Sequence, residues 1–387
     1  MRLLDLHLLR SFVLPFVYCE AGFFAVWLIA DLVSNVQDFI DAQVSPLAIA
    51  GFYFGQLPAI AIIVLPIGLL LALLYCLSRL SQANEIISML GAGLSLGRVL
   101  RPFFAVGLAI TALSGFLNYK LAPHAEARRE TELAELEAGN GKLEKRAYTY
   151  GYLFHNRTDN RLWFVQKMPT DWRQPLVGLQ VVQQDAAGHI TDKLYAGQAT
   201  YEAAAHAWHF GGGTRLARFD ANGDLRDQVF PEETTIDYWS ETPDRIASSV
   251  LQAEHLSVPE LHHYLRINSD FTHPQLAPFR TYLDYRHALP WECLVVVFVS
   301  APLGIVYSRR NVFAGVAGAI GIFFLTLFLT NLCLALGRGD RIPPFWAAWT
   351  PNLLFFVVGA VLLRIRALNR DRLPRTWDEL RSFVLTR

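Results

Sequence analysis

Long runs without Asp, Glu, Lys or Arg divide the chain into two apolar ends and a polar middle. Four of these runs reach the roughly 18–20 residues that a membrane helix needs. Two further apolar runs are interrupted by one acid each, Glu20 and Glu292. Backbone amides in lipid must bond within their own segment, so each run is predicted to be a transmembrane helix. The six predicted spans are 11–30, 57–77, 102–119, 289–307, 311–337 and 342–363.

The polar middle has a different pattern. Short segments rich in Val, Tyr, Phe and Trp recur about every ten residues and are separated by turn signals, which is typical of a sandwich or jelly roll. Ser257 and Glu260 have the spacing of a capping box and predict a short helix after the strands. A helix-favouring run, 122–137, extends the third span until Gly139. The predicted strands are 148–155, 162–167, 177–184, 189–195, 198–202, 207–210 and 214–219, with one more between 231 and 246.

These patterns predict a polytopic α-helical membrane protein, with six transmembrane helices in a 3+3 arrangement and an inserted all-β, jelly-roll-like domain. Residues 1–121 hold the first three spans and a loop helix at about 79–98. Residues 122–285 form the β-domain, and residues 286–387 hold the last three spans and an Arg-rich tail.

The charge balance is informative only when it is divided along the chain. The 34 basic and 34 acidic residues cancel, and only 18% of residues are charged, which argues against a soluble enzyme and against nucleic acid as a partner. Residues 122–285 hold 23 acidic and 16 basic residues, a net charge of −7, so the flanks carry +7. A cytoplasmic N-terminus places fourteen Arg inside, against Arg338 and Arg341 outside. Both termini are therefore expected in the cytoplasm, with the β-domain outside and the first span retained.

A search for catalytic chemistry finds none. The four cysteines all fall in predicted spans, so no disulfide or thiolate metal site is expected. The run from Gly139 to Lys142 lacks the spacing of a phosphate loop. His206 and His209 lie on a predicted strand with spacing that points them to opposite faces. We therefore predict no catalytic residue, no metal site, and no ATP site in this chain.

The loop between the second and third spans is the informative polar segment. Its apolar residues recur at helical spacing, and Gly93 is expected to end the helix. One interpretation is an interfacial helix that only joins two spans. The other is a coupling helix that seats in a groove of a separate cytoplasmic motor, with Glu85 as its acidic contact. The apolar positions are Ile87, Leu90 and Leu94.

Glu20 lies near the middle of the first span, where an unpaired carboxylate is costly. Three outcomes are open: protonation, a position on the substrate cavity, or a cation from a partner subunit. Asp31 and Glu292 lie nearer the ends of their spans and are weaker candidates.

The loop resembles the signature of the LptF/LptG family, the permease subunits of the lipopolysaccharide export ABC transporter. That signature begins with an acid and continues to a Gly-hydrophobic-Ser triplet, here Glu85 followed by Gly93, Leu94 and Ser95. The resemblance extends over nearly the whole chain, from three spans through a β-domain to three spans. Further similar features are Asn118 and Pro123 after the third span, Trp208, the Ser257–Leu261 capping segment and the Pro302-Leu303-Gly304 run.

The resemblance implies a multi-pass protein of the bacterial inner membrane with a periplasmic β-domain. Its implied partners are a second homologous permease, a cytoplasmic ATPase dimer that binds ATP and Mg²⁺, and a periplasmic bridge or LptC-like protein. Together they extract lipopolysaccharide from the membrane. The implied ATPase-coupling residues are Glu85, Ile87, Leu90, Gly93, Leu94 and Ser95. The first and fifth spans form the implied lateral gates, with Glu20, Asp31, Phe313 and Phe324 as gate or cavity candidates.

The chain departs from the family pattern at two places. Leu90 stands where the pattern often has Arg. The outer end of the first span carries Asp31, Asp38 and Asp41 where basic residues that meet lipid phosphates are expected. Acids do not bind phosphate directly. They can bridge through divalent ions, leave phosphate to the partner subunit, or indicate another lipid, and they favour the LptG-like member of the pair.

Two other classes of function stay open from the residues alone. An ion-coupled transporter would use Glu20 and Glu292 and need no ATPase. A membrane-anchored assembly or mechanical-transmission protein would act through its β-domain and tolerate changes in the spans.

Overall fold

The computed structural model describes residues 3–41, 43–125, 129, 148–169, 174–220, 222–248, 251–305 and 312–367. The turn expected at Gly139, the inner loop with Arg309 and Arg310, and the tail beyond residue 367 lie outside these ranges.

Helices account for both ends of the described chain. Five are long and apolar enough to cross a membrane, and a bent pair makes a sixth span, which confirms a polytopic helical protein. The helices are α1 (Leu3–Asp41), α2 (Pro46–Gln82), α3 (Glu85–Gly91), α4 (Leu96–Phe116, continued by a π-helical turn Leu117–Leu121), α5 (Pro243–Ala247), α6 (Val258–Ile267), α7 (His273–Ala288), α8 (Trp291–Gly304), α9 (Val312–Arg338) and α10 (Pro344–Ala367).

The fourth span differs from its prediction as one helix over 289–307. Helix α8 has only 14 residues, and it meets α7 at a bend of 51°. Pro290 stands at the junction, where its ring and missing N–H prevent an uninterrupted α-helix. Counted as one span, the fourth span is therefore the bent α7–α8 pair, which begins before residue 289.

Helix α2 is the centre of the helical part, whereas α1 lies at its edge. The apolar window of α2 is 67% buried and that of α1 only 6%. A cluster of fully buried residues joins α2 to the other helices, including Leu8 and Phe12 of α1, Leu73 of α2, Phe103 of α4 and Val297 of α8. An edge helix with one face open can change neighbours more easily than a central one.

Close helix packing depends on glycine at several crossings, most clearly at Gly359 of α10. A Cβ atom there would lie 2.8 Å from the carbonyl carbon of Phe298 and 2.9 Å from its Cβ atom. Replacing Gly359 by Ala forces backbone to move, so we expect a loss of about 1–3 kcal/mol in the free energy of unfolding. Thermal unfolding of the full chain in detergent measures it.

Gly321→Ala is the matched control, because a Cβ atom at Gly321 has nothing within 4 Å among the described atoms. Alanine is the better helix former, so this variant should be unchanged or more stable by up to about 1 kcal/mol. Equal unfolding temperatures for the two variants would contradict the assigned packing.

The middle of the chain is an antiparallel β-domain, as predicted. Its eight strands form one sheet in the order β1-β2-β3-β4-β5-β8, while β6 pairs with the other half of the β4 edge and continues to β7. The strands are β1 (Tyr148–Asn156), β2 (Arg161–Pro169), β3 (Leu176–Gln184), β4 (Ile190–Glu202), β5 (Ala207–Gly211), β6 (Arg215–Phe219), β7 (Leu225–Val229) and β8 (Thr234–Ile236).

Two strand predictions are corrected. The segments 189–195 and 198–202 are one strand, β4, which pairs with β6 through its first half and with β5 through its second. The prediction left a break at residues 196 and 197, but Gly197 lies within β4, where a Cβ atom would be 2.2 Å from the Gly212 carbonyl oxygen. Strand β7 was missed because Arg226 and Asp227 occupy it. Among the described strands β7 pairs only with β6, and such an edge tolerates charged side chains.

A buried ion pair lies beside the aromatic core of the β-domain. Arg161 donates from Nη1 to both carboxylate oxygens of Glu241, at 2.8 and 2.7 Å, and Glu241 is fully buried. Asn156 also donates to Glu241 at 2.8 Å, and Trp208 Nε1 donates to its backbone oxygen at 2.7 Å. The guanidinium lies 4.5 Å from the ring centroid of Trp239. This network, the Glu241 cluster, joins β1 and β2 to the segment that follows β8.

The helices after the sheet connect it to the spans. The capping box predicted at Ser257 is confirmed, since the Ser257 N–H donates to Glu260 Oε2 at 2.8 Å. Arg245 of α5 pairs with Asp270 in the loop before α7, so α5 is attached to the bent fourth span.

Candidate functional site

The loop between the second and third spans contains a helix shorter than the predicted segment of about 79–98, because residues 79–82 continue α2 and residues 96–98 begin α4. Helix α3 spans Glu85–Gly91. The residue before it, Asn84, is the N-cap and has a φ of 59°. Gly93 has a φ of +84°, a left-handed conformation that favours glycine and turns the chain out of the helix. Ser95 accepts a hydrogen bond from the Arg98 N–H at 3.3 Å and caps α4. The Gly-hydrophobic-Ser triplet therefore builds the turn between α3 and α4.

One face of this loop packs on the spans and another stays open. Ile86 is 1% exposed, and Met89, Leu90 and Leu94 pack against the same buried cluster. Ile87 is 44% exposed. The sequence pattern placed Ile87 with Leu90 and Leu94, but its neighbour Ile86 is the residue that α3 buries. Ile87 and the half-exposed Glu85 are left accessible at the surface.

Two polar contacts attach the start of α1 to this loop. His7 Nε2 lies 2.9 Å from Glu85 Oε2, and Arg98 Nη2 lies 3.1 Å from Asp5 Oδ2. The second pair is largely shielded, with side chains 21% and 16% exposed. Sequence reasoning missed both, since residues 5 and 7 are far from the loop in sequence. The start of α1 is thus in direct contact with the loop helix through His7 and with the start of α4 through Asp5.

Glu20 faces the second span. Its Oε1 atom occupies the space that a side chain would need at Gly68, where a Cβ atom would lie only 2.1 Å away. Both carboxyl oxygens are buried, and neither has a hydrogen-bond partner in the described part of the chain. Glu292 is also buried, at 8% exposure, near the start of α8. A buried carboxyl group without a partner, such as that of Glu20, marks a functional position more often in membranes than elsewhere.

Asp31 lies in a polar site at the far end of α1 instead of facing solvent. It is 9% exposed and forms an ion pair with Arg129, and it also accepts a hydrogen bond from Asn35 at 3.1 Å. Arg129 and the buried Gln56 line a cavity of about 410 Å³ between the ends of the spans. Sequence reasoning did not select Arg129, although the Arg128-Arg129 pair after the third span was a signal.

The third span is fixed to α7 at the same end. Asn118 is buried and donates from Nδ2 to the Arg286 backbone oxygen at 2.5 Å, while Arg286 Nη1 donates to Asn118 Oδ1 at 3.1 Å. Asn118 therefore bonds across to the bent fourth span, a role that explains this motif residue.

The two aromatic gate candidates lie on α9. Phe324 is 64% exposed and faces outward from the chain, whereas its neighbour Phe323 is buried. Phe313 lies in the first turn of α9, and its side chain is outside the described set.

Groups of three or more His, Cys, Asp or Glu that could hold a metal ion do not occur among the described residues. The His206 and His209 imidazoles bond instead to Tyr201 at 3.1 Å and to Glu202 at 3.2 Å.

Fold and loop define a class of protein: a multi-pass helical membrane protein with a β-sheet domain between its third and fourth spans. The sequence profile of the lipopolysaccharide export system permease LptF/LptG family matches residues 6–365. The chain belongs to this family.

Two curated relatives carry the same name. The lipopolysaccharide export system permease protein LptG of Escherichia coli K12 is 22% identical over 323 residues, covering 81% of this chain and 85% of the relative. LptG of Escherichia coli O6:H1 strain CFT073 matches with the same values. Both are consistent with the preference for the LptG-like member drawn from the acids after the first span.

Proposed function

We propose that this chain is one of two permease subunits of an ATP-driven exporter that extracts lipopolysaccharide from the bacterial inner membrane. Family membership and the LptG relatives support the substrate. ATP and Mg²⁺ bind to a separate cytoplasmic ATPase dimer, and a second homologous permease completes the membrane path. The positive-inside rule supports a cytoplasmic location for both termini and a periplasmic β-domain, because fourteen Arg then lie on the cytoplasmic side, Arg309 and Arg310 among them.

The observation that carries the proposal is the open face of α3. Glu85 and Ile87 are accessible at the surface, while Ile86, Leu90 and Leu94 hold the helix on the spans. A short helix with one acid and one apolar side chain exposed suits a groove that offers a basic partner and an apolar wall. Gly93 and Ser95 form the turn between α3 and α4, and this turn sets the angle between the two helices. ATPase closure on α3 would then be transmitted to the membrane.

The contacts of α1 give this movement a route. Asp5 and His7 fasten the start of α1 to the loop, so displacement of α3 pulls on the first span. Because α1 is the least buried span, it can move relative to α2. With α9 of the second permease it forms a lateral gate, at which Glu20, Asp31, Phe313 and Phe324 are the gate candidates.

The β-domain suits transfer to a periplasmic bridge or an LptC-like protein. Strand β1 pairs only with β2 among the described strands, so it forms one edge of the described sheet. Such an edge can pair with a strand of another protein.

Affinity purification in mild detergent tests the assembly. We expect a cytoplasmic ATPase and a second six-span homologue to be recovered with the tagged chain. Glu20 and Glu292 are buried acids that also suit an ion-coupled transporter. Recovery of the chain alone, together with transport that needs no ATP, would favour that alternative and contradict the proposal.

Charge reversal at the Asp5–Arg98 pair tests the route from the loop to α1. Asp5→Arg and Arg98→Asp should each lower ATP-dependent export severalfold, because each places two like charges about 3 Å apart in a shielded site. The double variant restores the pair in the opposite sense and should recover most of the export. Export is measured in proteoliposomes with the copurified partners.

A double variant as defective as either single variant would exclude the pair from the route. ATPase recovery should remain unchanged in the two single variants and the double variant. A loss of export with normal ATPase recovery then shows a defect in transmission from the loop to α1 and not in docking of the ATPase.

A further inference from the structure

A groove between α1 and α2, at the end of the spans near α3, is not used by the proposed export cycle. Two adjoining cavities of about 570 and 320 Å³ form it, and both are lined by Cys19, Tyr75 and Arg79. Arg10 and Tyr18 line the α1 side of the second cavity. We refer to the two cavities together as the α1–α2 groove.

The charge of the groove is positive and unbalanced. Arg10 and Arg79 are both exposed, and neither has an ion pair or a hydrogen bond within the described chain. Among the described residues, no acidic side chain lines either cavity. The nearby Arg98 is different, because Asp5 neutralises it. The groove therefore offers two free guanidinium groups from opposite walls.

The polarity of the groove changes along its length. Arg79 lies eight residues after Leu71 on α2, which corresponds to about 12 Å along a helix. Between them are Leu74 and Tyr75, and on the other wall Arg10 is followed by Leu14. One end is cationic with hydroxyl groups nearby, and the other end is apolar. This gradient runs parallel to the spans, as the polarity of a lipid does.

We propose that the α1–α2 groove binds an anionic phospholipid. Arg10 and Arg79 bind the headgroup phosphate, Tyr75 offers a hydroxyl at its edge, and Leu14 and Leu71 contact the acyl chains. In the orientation proposed above this lipid belongs to the cytoplasmic leaflet. A free phosphate ion would satisfy the arginines but leave the apolar length of the groove uncovered.

The binding joins α1 to α2 at the end where α1 is attached to the loop. An anionic lipid in this groove holds the peripheral first span against the central second span by charge and by apolar contact. The bound lipid therefore restrains α1 near Asp5 and His7, and it is a different molecule from the transported lipid.

Native mass spectrometry of the delipidated full chain tests this with phosphatidylglycerol as the probe. We expect Arg10→Gln/Arg79→Gln to weaken phosphatidylglycerol binding about tenfold or more. Arg10→Lys/Arg79→Lys should retain most of it because the charge is kept. Arg101→Gln is the matched control, since Arg101 is an exposed arginine at the start of α4 that does not line the groove.

Each other outcome identifies a different source of binding and overturns the proposal. Equal binding of phosphatidylcholine indicates unspecific lipid contact. Displacement of phosphatidylglycerol by equimolar inorganic phosphate indicates a simple anion site. An equal loss in Arg101→Gln indicates diffuse charge, and unchanged binding in the Gln pair excludes the groove. None of these readouts depends on an ATPase or on export, so failure here leaves the proposed function standing.

Discussion

Replacement of Glu241 by glutamine is expected to lower the free energy of unfolding of the β-domain by about 3–5 kcal/mol. Arg161 would remain in a site where its side chain is 8% exposed, facing an amide instead of its close carboxylate partner, while the more exposed Asp159 carboxylate lies 3.8 Å away. Asn156 would lose a carboxylate acceptor at 2.8 Å as well. A buried charge without its partner is among the most costly changes in a folded protein.

Thermal unfolding of the full chain in detergent, followed by tryptophan fluorescence, measures this effect. The ring centroids of Trp163 and Trp239 lie 5.2 Å apart beside the Glu241 cluster, so the fluorescence of these residues reports the loss of the cluster directly. Glu202→Gln is the matched control, because Glu202 forms an exposed pair with His209 and should change stability by less than about 1 kcal/mol.

The double variant Arg161→Met/Glu241→Leu separates pairing from packing. Removing both charges removes both desolvation costs, so it should be clearly more stable than Glu241→Gln. If it is as unstable as the single variant, the cluster acts through its shape and hydrogen bonds, and the charge argument fails.

Glu85→Lys is expected to abolish ATP-dependent lipopolysaccharide export while the chain still inserts in the membrane. The change reverses the acid on the open face of α3, so a basic residue of the ATPase would meet a like charge. Stability should change little, because the Glu85 side chain is 41% exposed. Export in reconstituted proteoliposomes and ATPase recovery on affinity purification are the measurements.

Two variants distinguish the docking of the ATPase on α3 from the contact between His7 and Glu85 within the chain. His7→Gln removes the 2.9 Å partner of Glu85 but keeps the acid, so ATPase recovery should stay normal. Ser88→Lys adds a cation to the same exposed helix without removing the acid and should be milder than Glu85→Lys. Wild-type export and ATPase recovery in Glu85→Lys would refute the coupling role.

The β-domain shows how far a strand pattern can be interpreted. Alternation and turn signals predicted most strands, because they act within a few residues. The pattern divided β4 at Gly197, since the approach of Gly212 that makes a glycine useful there is not visible locally. It also missed β7, because charged residues are tolerated where a strand has a neighbour on one side only.

The loop site shows the same limit in another form. Glu85, Gly93 and Ser95 could be selected from their spacing, because a helix start, a left-handed turn and a cap are local features. The spacing could not show which isoleucine is buried. Ile86 and Ile87 have equal hydrophobicity, and only the position of the spans distinguishes them. The contacts of Asp5 and His7 join segments about eighty to ninety residues apart, and no pattern within either segment indicates them.

The sequence alone determined that this protein has membrane spans on both sides of an antiparallel β-domain, because charge-free length and strand alternation follow from local solvation. The tertiary structure decided the bent fourth span, the peripheral place of α1, and its attachment to the loop helix. It also decided that Asp31 pairs with Arg129 and that Arg10 and Arg79 share one groove. These features depend on which helices contact each other, and the packing between distant segments of the chain determines those contacts.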